Sequence, residues 1–270
     1  MALPAPSAAS TALVTGASSG IGVEIARELA RRGHGVTLVA RREERLKALA
    51  DELAEAHGVR AEVVAVDLAD AGSRATLPDA VAERDLTVDV LVNNAGFSTM
   101  GPVRAAQAEA ELRMLRVNVE AVVDLCVRFV GPMVDRGRGA VLNVASTGAF
   151  QPLPGQAGYA ASKAFVLSYT DALHAELKGT GVSATSLCPG PVRTEFGETA
   201  GLSREESDAA LPRFMWETAE DVAKAAVAGL DRGRAVVIPG AANAVGAYAG
   251  RLAPKKVLVP LLARQHPALR

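Results

Sequence analysis

The chain has 270 residues, of which 49% are hydrophobic, and a formal net charge of −1 at pH 7. This length and apolar content suit one large α/β domain or two small ones with a substantial core, and they exclude a chain that is disordered throughout. Because acidic and basic residues are interspersed and nearly balanced, the composition argues against a nucleic-acid partner and favours a small-molecule ligand.

The first ten residues, "MALPAPSAAS", are expected to form a flexible arm over 1–10. They lack the basic region and apolar run of a signal peptide, and no stretch of the sequence approaches the ~20 apolar residues that cross a bilayer. The two cysteines, Cys126 and Cys188, lie within apolar stretches. These features predict buried, reduced thiols and a cytoplasmic protein.

Short β-branched apolar runs alternate with segments of helical period along the chain. The predicted strands lie at 12–15, 36–39, 62–66, 88–92, 140–144, 183–187 and 235–238. The helical segments between them lie at 22–33, 42–58, 82–86, 106–133 and 157–178. This alternation predicts right-handed crossovers and a parallel sheet covered on both faces, without an internal domain boundary.

The stretch "ALVTGASSGIG" at 12–22 begins on the first predicted strand, turns through Gly16, Gly20 and Gly22, and enters a helix near Ile21. This arrangement places backbone N–H groups and the positive helix end where a doubly wound fold binds a pyrophosphate. The Gly-x-x-x-Gly-x-Gly spacing differs from the common Gly-x-Gly-x-x-Gly fingerprint, and a tight turn of small residues is the alternative interpretation.

Further motifs follow the glycine loop: "NNAG" at 93–96, Asn118, Ser146, "YAASK" at 159–163 and "PGPVRT" at 189–194. In this order and spacing, over residues 11–240, they resemble the short-chain dehydrogenase/reductase family. The resemblance implies a single Rossmann-type doubly wound α/β domain with a seven-stranded parallel sheet. It also implies a nicotinamide cofactor and hydride transfer to or from a carbonyl or alcohol. The predicted domain at 11–240 includes a substrate loop at 195–217, and a C-terminal extension follows at 241–270.

Tyr159 is the predicted general acid for reduction and general base for oxidation. A tyrosine with an ordinary pKa of ~10 exchanges its proton poorly at neutral pH, so it needs a nearby cation. Lys163 follows four residues later on a predicted helix. The two side chains therefore share a face, and the ammonium can favour the tyrosinate. The alternative is a packed tyrosine beside a solvated lysine.

Ser146 follows the predicted strand at 140–144, at the carboxyl end where open α/β sheets bind ligands. Its hydroxyl can hydrogen-bond the substrate oxygen. A turn or cap is the alternative for Ser146, and Thr147 beside it could share the catalytic role. By resemblance Ser146 is catalytic, and Asn118 holds a water that continues a proton relay through Lys163. A core asparagine with satisfied hydrogen bonds is the alternative for Asn118.

The predicted cofactor is NADP(H). NAD-preferring Rossmann proteins carry an acidic residue near the end of the second strand, but here Ala40 is followed by Arg41 and Arg42. A guanidinium can pair with the 2′-phosphate of NADP(H). The alternative is that both arginines are solvated or are neutralised by Glu43 or Glu44.

The cofactor-binding residues expected from the glycine loop, the arginines and the resemblance are Gly16, Ser18, Ser19, Gly20, Ile21, Gly22, Arg41, Arg42, Asp67, Leu68, Asn93, Ala95, Gly96, Tyr159, Lys163, Pro189, Gly190, Val192 and Thr194. By resemblance, Asp67 and Leu68 meet the adenine, while Val192 and Thr194 meet the nicotinamide and diphosphate. An ordinary acid at a strand end is the alternative for Asp67.

The loop at 195–217 supplies apolar side chains for a substrate pocket: Phe196, Leu211, Phe214, Met215 and Trp216. They predict a lipophilic ketone or aldehyde as substrate, and core closure is the alternative. The extension at 241–270 mixes apolar and basic residues. This pattern favours packing on the domain or a neighbouring subunit, with contact to an anionic membrane as the alternative.

The resemblance also suggests a homodimer or homotetramer built on the segments at 106–133 and 157–178. No metal is expected, because no second ligand type lies at metal-binding spacing from His34, His57, His174 or His266. The predicted function is therefore a cytoplasmic NADP(H)-dependent reductase. The alternatives are an NAD-linked alcohol dehydrogenase and a non-catalytic regulator that senses NADPH.

Overall fold

The computed structural model describes residues 3–201, 212–265 and 269. Leu211 and His266, as well as residues 202–210 of the expected substrate loop, lie outside the described residues. The strands are β1 Ser10–Thr15, β2 Val36–Ala40, β3 Ala61–Ala65, β4 Thr87–Asn93, β5 Gly139–Val144, β6 Val182–Leu187 and β7 Val236–Val237. In this part of the chain they form one parallel sheet in the order β3-β2-β1-β4-β5-β6-β7. The predicted Rossmann-type α/β fold with seven strands is confirmed.

Helices flank the sheet and connect its strands. Those before β5 are α1 Ile21–Arg31, α2 Glu43–His57, α3 Ala71–Ala75, α4 Leu77–Ala82, α5 Ala108–Leu115 and α6 Ala121–Asp135. Those after β5 are α7 Ala157–Glu176, α8 Phe196–Thr199, α9 Ala219–Asp231, α10 Ala241–Leu252 and α11 Lys255–Gln265.

Two helical predictions need correction. The segment expected at 82–86 is wrong, because α4 ends at Ala82 and Asp85 adopts a positive φ of 54°. Pro78 in the first turn instead starts the helix earlier, where its missing N–H needs no partner. The segment at 106–133 is two helices, α5 and α6, joined by a π-helical turn over Arg116–Glu120.

The sheet divides the hydrophobic core into two layers. Successive β1 residues alternate, since Leu13 packs in one apolar cluster while Ala12 and Val14 pack in the other. This alternation follows from the two-residue period of a strand, and burial on both faces explains why the strands read as continuous apolar runs.

The strand order reverses between β1 and β4. The chain leaves β1 toward β2 and β3 on one side, then returns to place β4 on the other side of β1. The chain leaves β1 and β4 toward opposite faces of the sheet, since Ile25 of α1 packs in one apolar cluster and Leu125 of α6 packs in the other. In open α/β sheets this divergence opens the crevice in which ligands bind.

Both ends of the described chain contact the body of the domain. The segment before β1, expected to be a flexible arm, is hydrogen-bonded: Leu3 N donates to Asp231 Oδ1 at 3.1 Å, and Arg138 donates to the Ala5 carbonyl. At the other end, Asn243 Nδ2 of α10 donates to the Met215 carbonyl at 3.0 Å. The boundaries at 11 and 240 stay predictions. Within the described ranges, no helix has the length and apolarity needed to cross a membrane.

Candidate active site

A cleft of about 1050 Å³ lies along the loops that follow the central strands. The following predicted site residues line it: Gly16, Ser18, Ser19, Gly20, Ile21, Arg41, Arg42, Asp67, Leu68, Ala95, Gly96, Ser146, Tyr159, Lys163, Pro189, Gly190, Val192 and Thr194. Gly22, Asn93 and Asn118 lie behind the lining. One cleft therefore unites the glycine loop with the expected catalytic tyrosine.

The glycine loop packs tightly against itself and against the loop after β4. Gly16 adopts a positive φ of 67°, a conformation that favours glycine. A Cβ on Gly22 would lie 2.4 Å from the Gly16 carbonyl oxygen. Helix α1 begins at Ile21, and no described side chain caps its first turn. Its N–H groups and positive end are therefore available to an anion.

Arg42 spans the glycine loop. Its Nε donates to Ser18 Oγ at 3.1 Å, and its Nη2 donates to Ser19 Oγ at 2.7 Å. Its Nη1 donates to Glu195 Oε2 at 3.0 Å, from the segment after β6. Arg41, also exposed, lines the same cleft.

The carboxylate that neutralises Arg42 is not one of those expected. Glu43 and Glu44 instead face Lys47, at 2.9 Å and 3.7 Å. Glu195 accepts hydrogen bonds from Arg42 and also from Arg45 Nη1 at 2.9 Å. Sequence reasoning missed Glu195, because 153 residues separate it from Arg42 and no local pattern links them.

Asp67 lies after β3 and lines the cleft. It accepts hydrogen bonds from Ala69 N at 3.0 Å and from Arg113 Nη2 at 2.7 Å. Burial raises the pKa of the carboxyl, but these hydrogen bonds and the Arg113 charge outweigh burial, so the pKa lies below its ordinary value. Asp67 is consequently an ionised acceptor in a fixed orientation. Arg113, on α5, was not predicted.

Ser146 and Tyr159 form a hydrogen-bonded pair in the cleft wall. Ser146 follows β5, and its Oγ accepts from Gly148 N at 3.0 Å, at the start of a 3₁₀ turn. Burial raises the pKa of Tyr159 to about 12, although the hydrogen bond with Ser146 lowers it. Ser146 therefore both caps the turn and contacts the phenol.

Lys163 lies one turn after Tyr159 on α7, as expected. Its Nζ donates to the Val144 carbonyl at 2.9 Å and lies 5.8 Å from the centroid of the Tyr159 ring. Burial lowers the pKa of Lys163 to about 8. In the protein alone, burial of the phenol raises the pKa of Tyr159, whereas the sequence led us to expect that Lys163 would lower it.

Asn118 lies in the π-helical turn and is fully buried. Its Oδ1 accepts from Phe97 N at 3.2 Å, and its Nδ2 donates to Phe97 O at 3.0 Å and to Ser162 Oγ at 3.1 Å. These bonds hold the backbone beyond Gly96 against α7, close to Lys163. The side chain is thus satisfied by protein groups, and the water relay stays a prediction.

Asn94, and not the predicted Asn93, lines the cleft. Asn93, the last residue of β4, donates to Asn143 Oδ1 at 2.8 Å within the sheet. Asn94 lines the cleft and donates to the Thr15 carbonyl at 2.9 Å. Successive residues of a strand face opposite sides, so a shift of one position changes which side chain faces the ligand.

Apolar side chains line part of the same cleft: Phe97, Met100, Leu153, Phe196, Met215, Trp216 and Leu262. The Phe196 ring lies 5.6 Å from the Tyr159 ring. Phe214 is 75% exposed and is not part of the lining. Leu262 belongs to α11, in the extension for which the sequence favoured packing on the domain or a neighbouring subunit, with membrane contact as the alternative. Tertiary contact, not a motif, places it here.

The described residues hold no group of three or more His, Cys, Asp or Glu side chains that could bind a metal ion. Cys126 and Cys188 are buried thiols. Burial raises the pKa of each to about 11, so neither is a thiolate at neutral pH.

The comparisons with known proteins agree with this geometry. The family model for short chain dehydrogenases matches residues 10–205. A provisionally named ketoacyl reductase of Streptomyces coelicolor is 40% identical over 78% of this chain and 78% of its own length. A short chain dehydrogenase of Pseudocercospora fijiensis is 39% identical over 69% of this chain, and this chain spans 61% of that relative.

A solved structure shares the fold as well as the sequence pattern. It is a short-chain dehydrogenase from Sphingobium yanoikuyae in complex with NADPH, with 36% identity and a TM-score of 0.78. The match covers 85% of this chain and 87% of that one. With the family model matching from β1 to beyond α8, this chain belongs to the short-chain dehydrogenase family.

Proposed function

We propose that this protein is an NADP(H)-dependent oxidoreductase that reduces a lipophilic ketone or aldehyde, the reverse reaction being oxidation of a secondary alcohol. The observation that carries the proposal is that Ser146, Tyr159 and Lys163 share one cleft with the glycine loop. The Sphingobium yanoikuyae structure holds NADPH, and the Streptomyces coelicolor relative is named for ketoacyl reduction. Both are consistent with this reaction.

The residues present fit a dinucleotide. The tight approach of Gly22 to Gly16 and the uncapped start of α1 provide donors for a diphosphate. Arg41 and Arg42 would hold a 2′-phosphate, and Asp67 would accept a hydrogen bond from the adenine. When bound, the nicotinamide supplies the hydride.

The chain's own catalytic task is to move a proton. A phenol with a pKa of about 12 keeps its proton at neutral pH, so Tyr159 is poised to donate to the substrate oxygen. Ser146, already hydrogen-bonded to Tyr159, would hold the same oxygen. The Lys163 ammonium would stabilise the tyrosinate that forms when the proton leaves.

The apolar lining favours a lipophilic substrate. Phe196, Met215, Trp216 and Leu262 come from two separate parts of the chain and line the cleft that contains Tyr159. Such a wall offers few hydrogen bonds to a sugar or a small acid, but it can bury an aliphatic or polycyclic group.

We also propose a cytoplasmic homodimer or homotetramer built on α6 and α7. Val127 of α6 and Phe165 of α7 are exposed apolar side chains on these helices. Burial of such residues is a common driving force for subunit association.

The test is a set of initial rates of NADPH and NADH oxidation with simple ketones, aldehydes, 3-oxoacyl thioesters, steroids and quinones. Arg41→Asp is measured in parallel, with Arg104→Asp, outside the cleft, as the matched control. Loss of one charge-assisted pair with the phosphate should shift the NADPH/NADH selectivity about 10- to 100-fold toward NADH, while the control keeps the wild-type ratio.

The outcomes separate the candidate functions. An unchanged ratio in Arg41→Asp would show that this arginine does not select the cofactor. A wild-type preference for NADH would favour an NAD-linked alcohol dehydrogenase. Tight NADPH binding without turnover of any carbonyl would favour the sensing regulator.

A further inference from the structure

An ion-pair network joins the cofactor arginines to the segment after β6. Glu195 accepts from Arg42 Nη1 at 3.0 Å through Oε2 and from Arg45 Nη1 at 2.9 Å through Oε1. Glu195 directly precedes α8 and lines the cleft together with Arg42. The contact therefore crosses the part of the cleft where the glycine loop and the start of α2 meet.

All three nitrogens of the Arg42 guanidinium are engaged in this arrangement. Nε and Nη2 donate to neutral oxygens of Ser18 and Ser19, and Nη1 donates to the Glu195 carboxylate. A phosphate dianion binds arginine through the same charge-assisted hydrogen bonds as a carboxylate. A 2′-phosphate that binds Arg42 through Nη1 would therefore compete with the Glu195 carboxylate.

The Glu195 carboxylate is negatively charged at neutral pH. The hydrogen bonds from Arg42 and Arg45 hold the pKa of Glu195 below its ordinary value.

We infer that Glu195 is a selectivity-determining residue: its carboxylate competes with the 2′-phosphate of NADP(H) for Arg42 and thereby weakens the preference for NADP(H) over NAD(H). This inference rests on the proposed function, because it takes NADP(H) to be the cofactor. NAD(H) lacks the 2′-phosphate and has no need to displace Glu195, so its affinity is independent of this contact.

The test compares Glu195→Gln with the wild type in titrations of NADPH and NADH. Glutamine keeps the shape of the side chain and removes its charge. The matched control is Glu198→Gln, which removes a charge from a residue of α8 that lines the same cleft. Glu198 belongs to neither ion pair with Arg42 or Arg45 in the described part of the chain.

Glu195→Gln should lower the Kd for NADPH about 3- to 10-fold, the range expected from the loss of one or two exposed ion pairs. The Kd for NADH should stay within about twofold, and Glu198→Gln should change neither value. Circular dichroism checks that each variant is folded.

Three results would overturn the inference. An unchanged or higher Kd for NADPH in Glu195→Gln would show that Glu195 does not compete for the arginine. An equal change for both cofactors would assign Glu195 a role in loop position alone. An equal effect of Glu198→Gln would indicate general electrostatics. If wild-type protein binds neither cofactor, the proposed function fails, whereas wild-type binding of NADPH combined with any of these three results defeats only this inference.

Discussion

Burial acts in opposite directions on the two ionisable side chains of the candidate catalytic site. It raises the pKa of Tyr159 to about 12 and lowers that of Lys163 to about 8, because removal from water disfavours the charged form of each. Below about pH 8 the phenol is protonated and the ammonium is charged. This is the state required to donate a proton to a carbonyl oxygen and to stabilise the tyrosinate that remains.

A pH dependence follows from the lowered pKa of Lys163. Because the ammonium deprotonates as pH rises through about 8, kcat/KM for NADPH, which reports ionisations of the free enzyme, should fall above that pH. Lys163→Arg keeps its charge at all accessible pH values. Its maximum should be lower, since a guanidinium does not reproduce the Nζ bond to Val144, and its decline should begin at higher pH. The same decline in both proteins would assign it to another group.

Sequence reasoning at the residue scale succeeds where a motif defines a spacing. Tyr159 and Lys163 share a face because four residues make about one helical turn. It fails where a contact depends on the tertiary fold. The pairing of Glu195 with Arg42, and the turn that puts Asn94 and not Asn93 in the cleft, leave no local signal.

Strand β1, the glycine loop and helix α1 together position the proposed cofactor site. The loop folds back so closely that the Cβ of any other residue at Gly22 would lie 2.4 Å from a backbone oxygen. A backbone atom cannot rotate away as a side chain can, so α1 would have to shift.

Gly22→Ala should therefore lower the free energy of unfolding by about 1–3 kcal/mol and weaken NADPH binding more than 10-fold. Gly246→Ala is the matched control: this glycine lies within α10, and its added Cβ would meet only Met215 at an ordinary 3.9 Å. It should raise stability by about 0.5–1 kcal/mol through helix propensity. Urea unfolding measures the free energy of unfolding of both variants. Wild-type stability and binding in Gly22→Ala would refute the tight-packing account.

At the scale of elements, the strands were predicted to within two residues at each end. Buried parallel strands read as uninterrupted apolar runs, so their positions are visible in the sequence. The π-helical turn at Arg116–Glu120 was not predicted. One widened turn barely alters a helical apolar period, although its effect is to carry Asn118 to the back of the cleft.

In the whole molecule, the described C-terminal helices contact the residues around the cleft. Asn243 of α10 donates a hydrogen bond to the carbonyl of Met215 in a 3₁₀ turn. Helix α11 contributes Leu262 to the cleft. The family motifs end near residue 240, so they could not predict that Leu262 lines the cleft.

The proposed assembly predicts that a charge introduced at Phe165 disrupts subunit association, whereas a charge introduced at Val103 does not. Phe165, 42% exposed on α7, stacks on Tyr169 with ring centroids 5.9 Å apart. Phe165→Glu should place a charge in the subunit interface and reduce the sedimentation coefficient to that of a smaller species. Val103→Glu, at a 75% exposed position in a short 3₁₀ turn, should sediment as the wild type does. If Phe165→Glu also matches the wild type, the subunits associate through another surface or not at all.

In the proposed function, Tyr159 donates the proton in an NADPH-dependent carbonyl reduction. The measurement is kcat for Tyr159→Phe with the best carbonyl substrate, together with the affinity of this variant for NADPH. Tyr248→Phe, which changes a tyrosine outside the cleft, is the control. We expect Tyr159→Phe to lose kcat about 10²- to 10⁴-fold while its affinity for NADPH stays within a few-fold of the wild type, and we expect Tyr248→Phe to match the wild type. Wild-type turnover by Tyr159→Phe would contradict it.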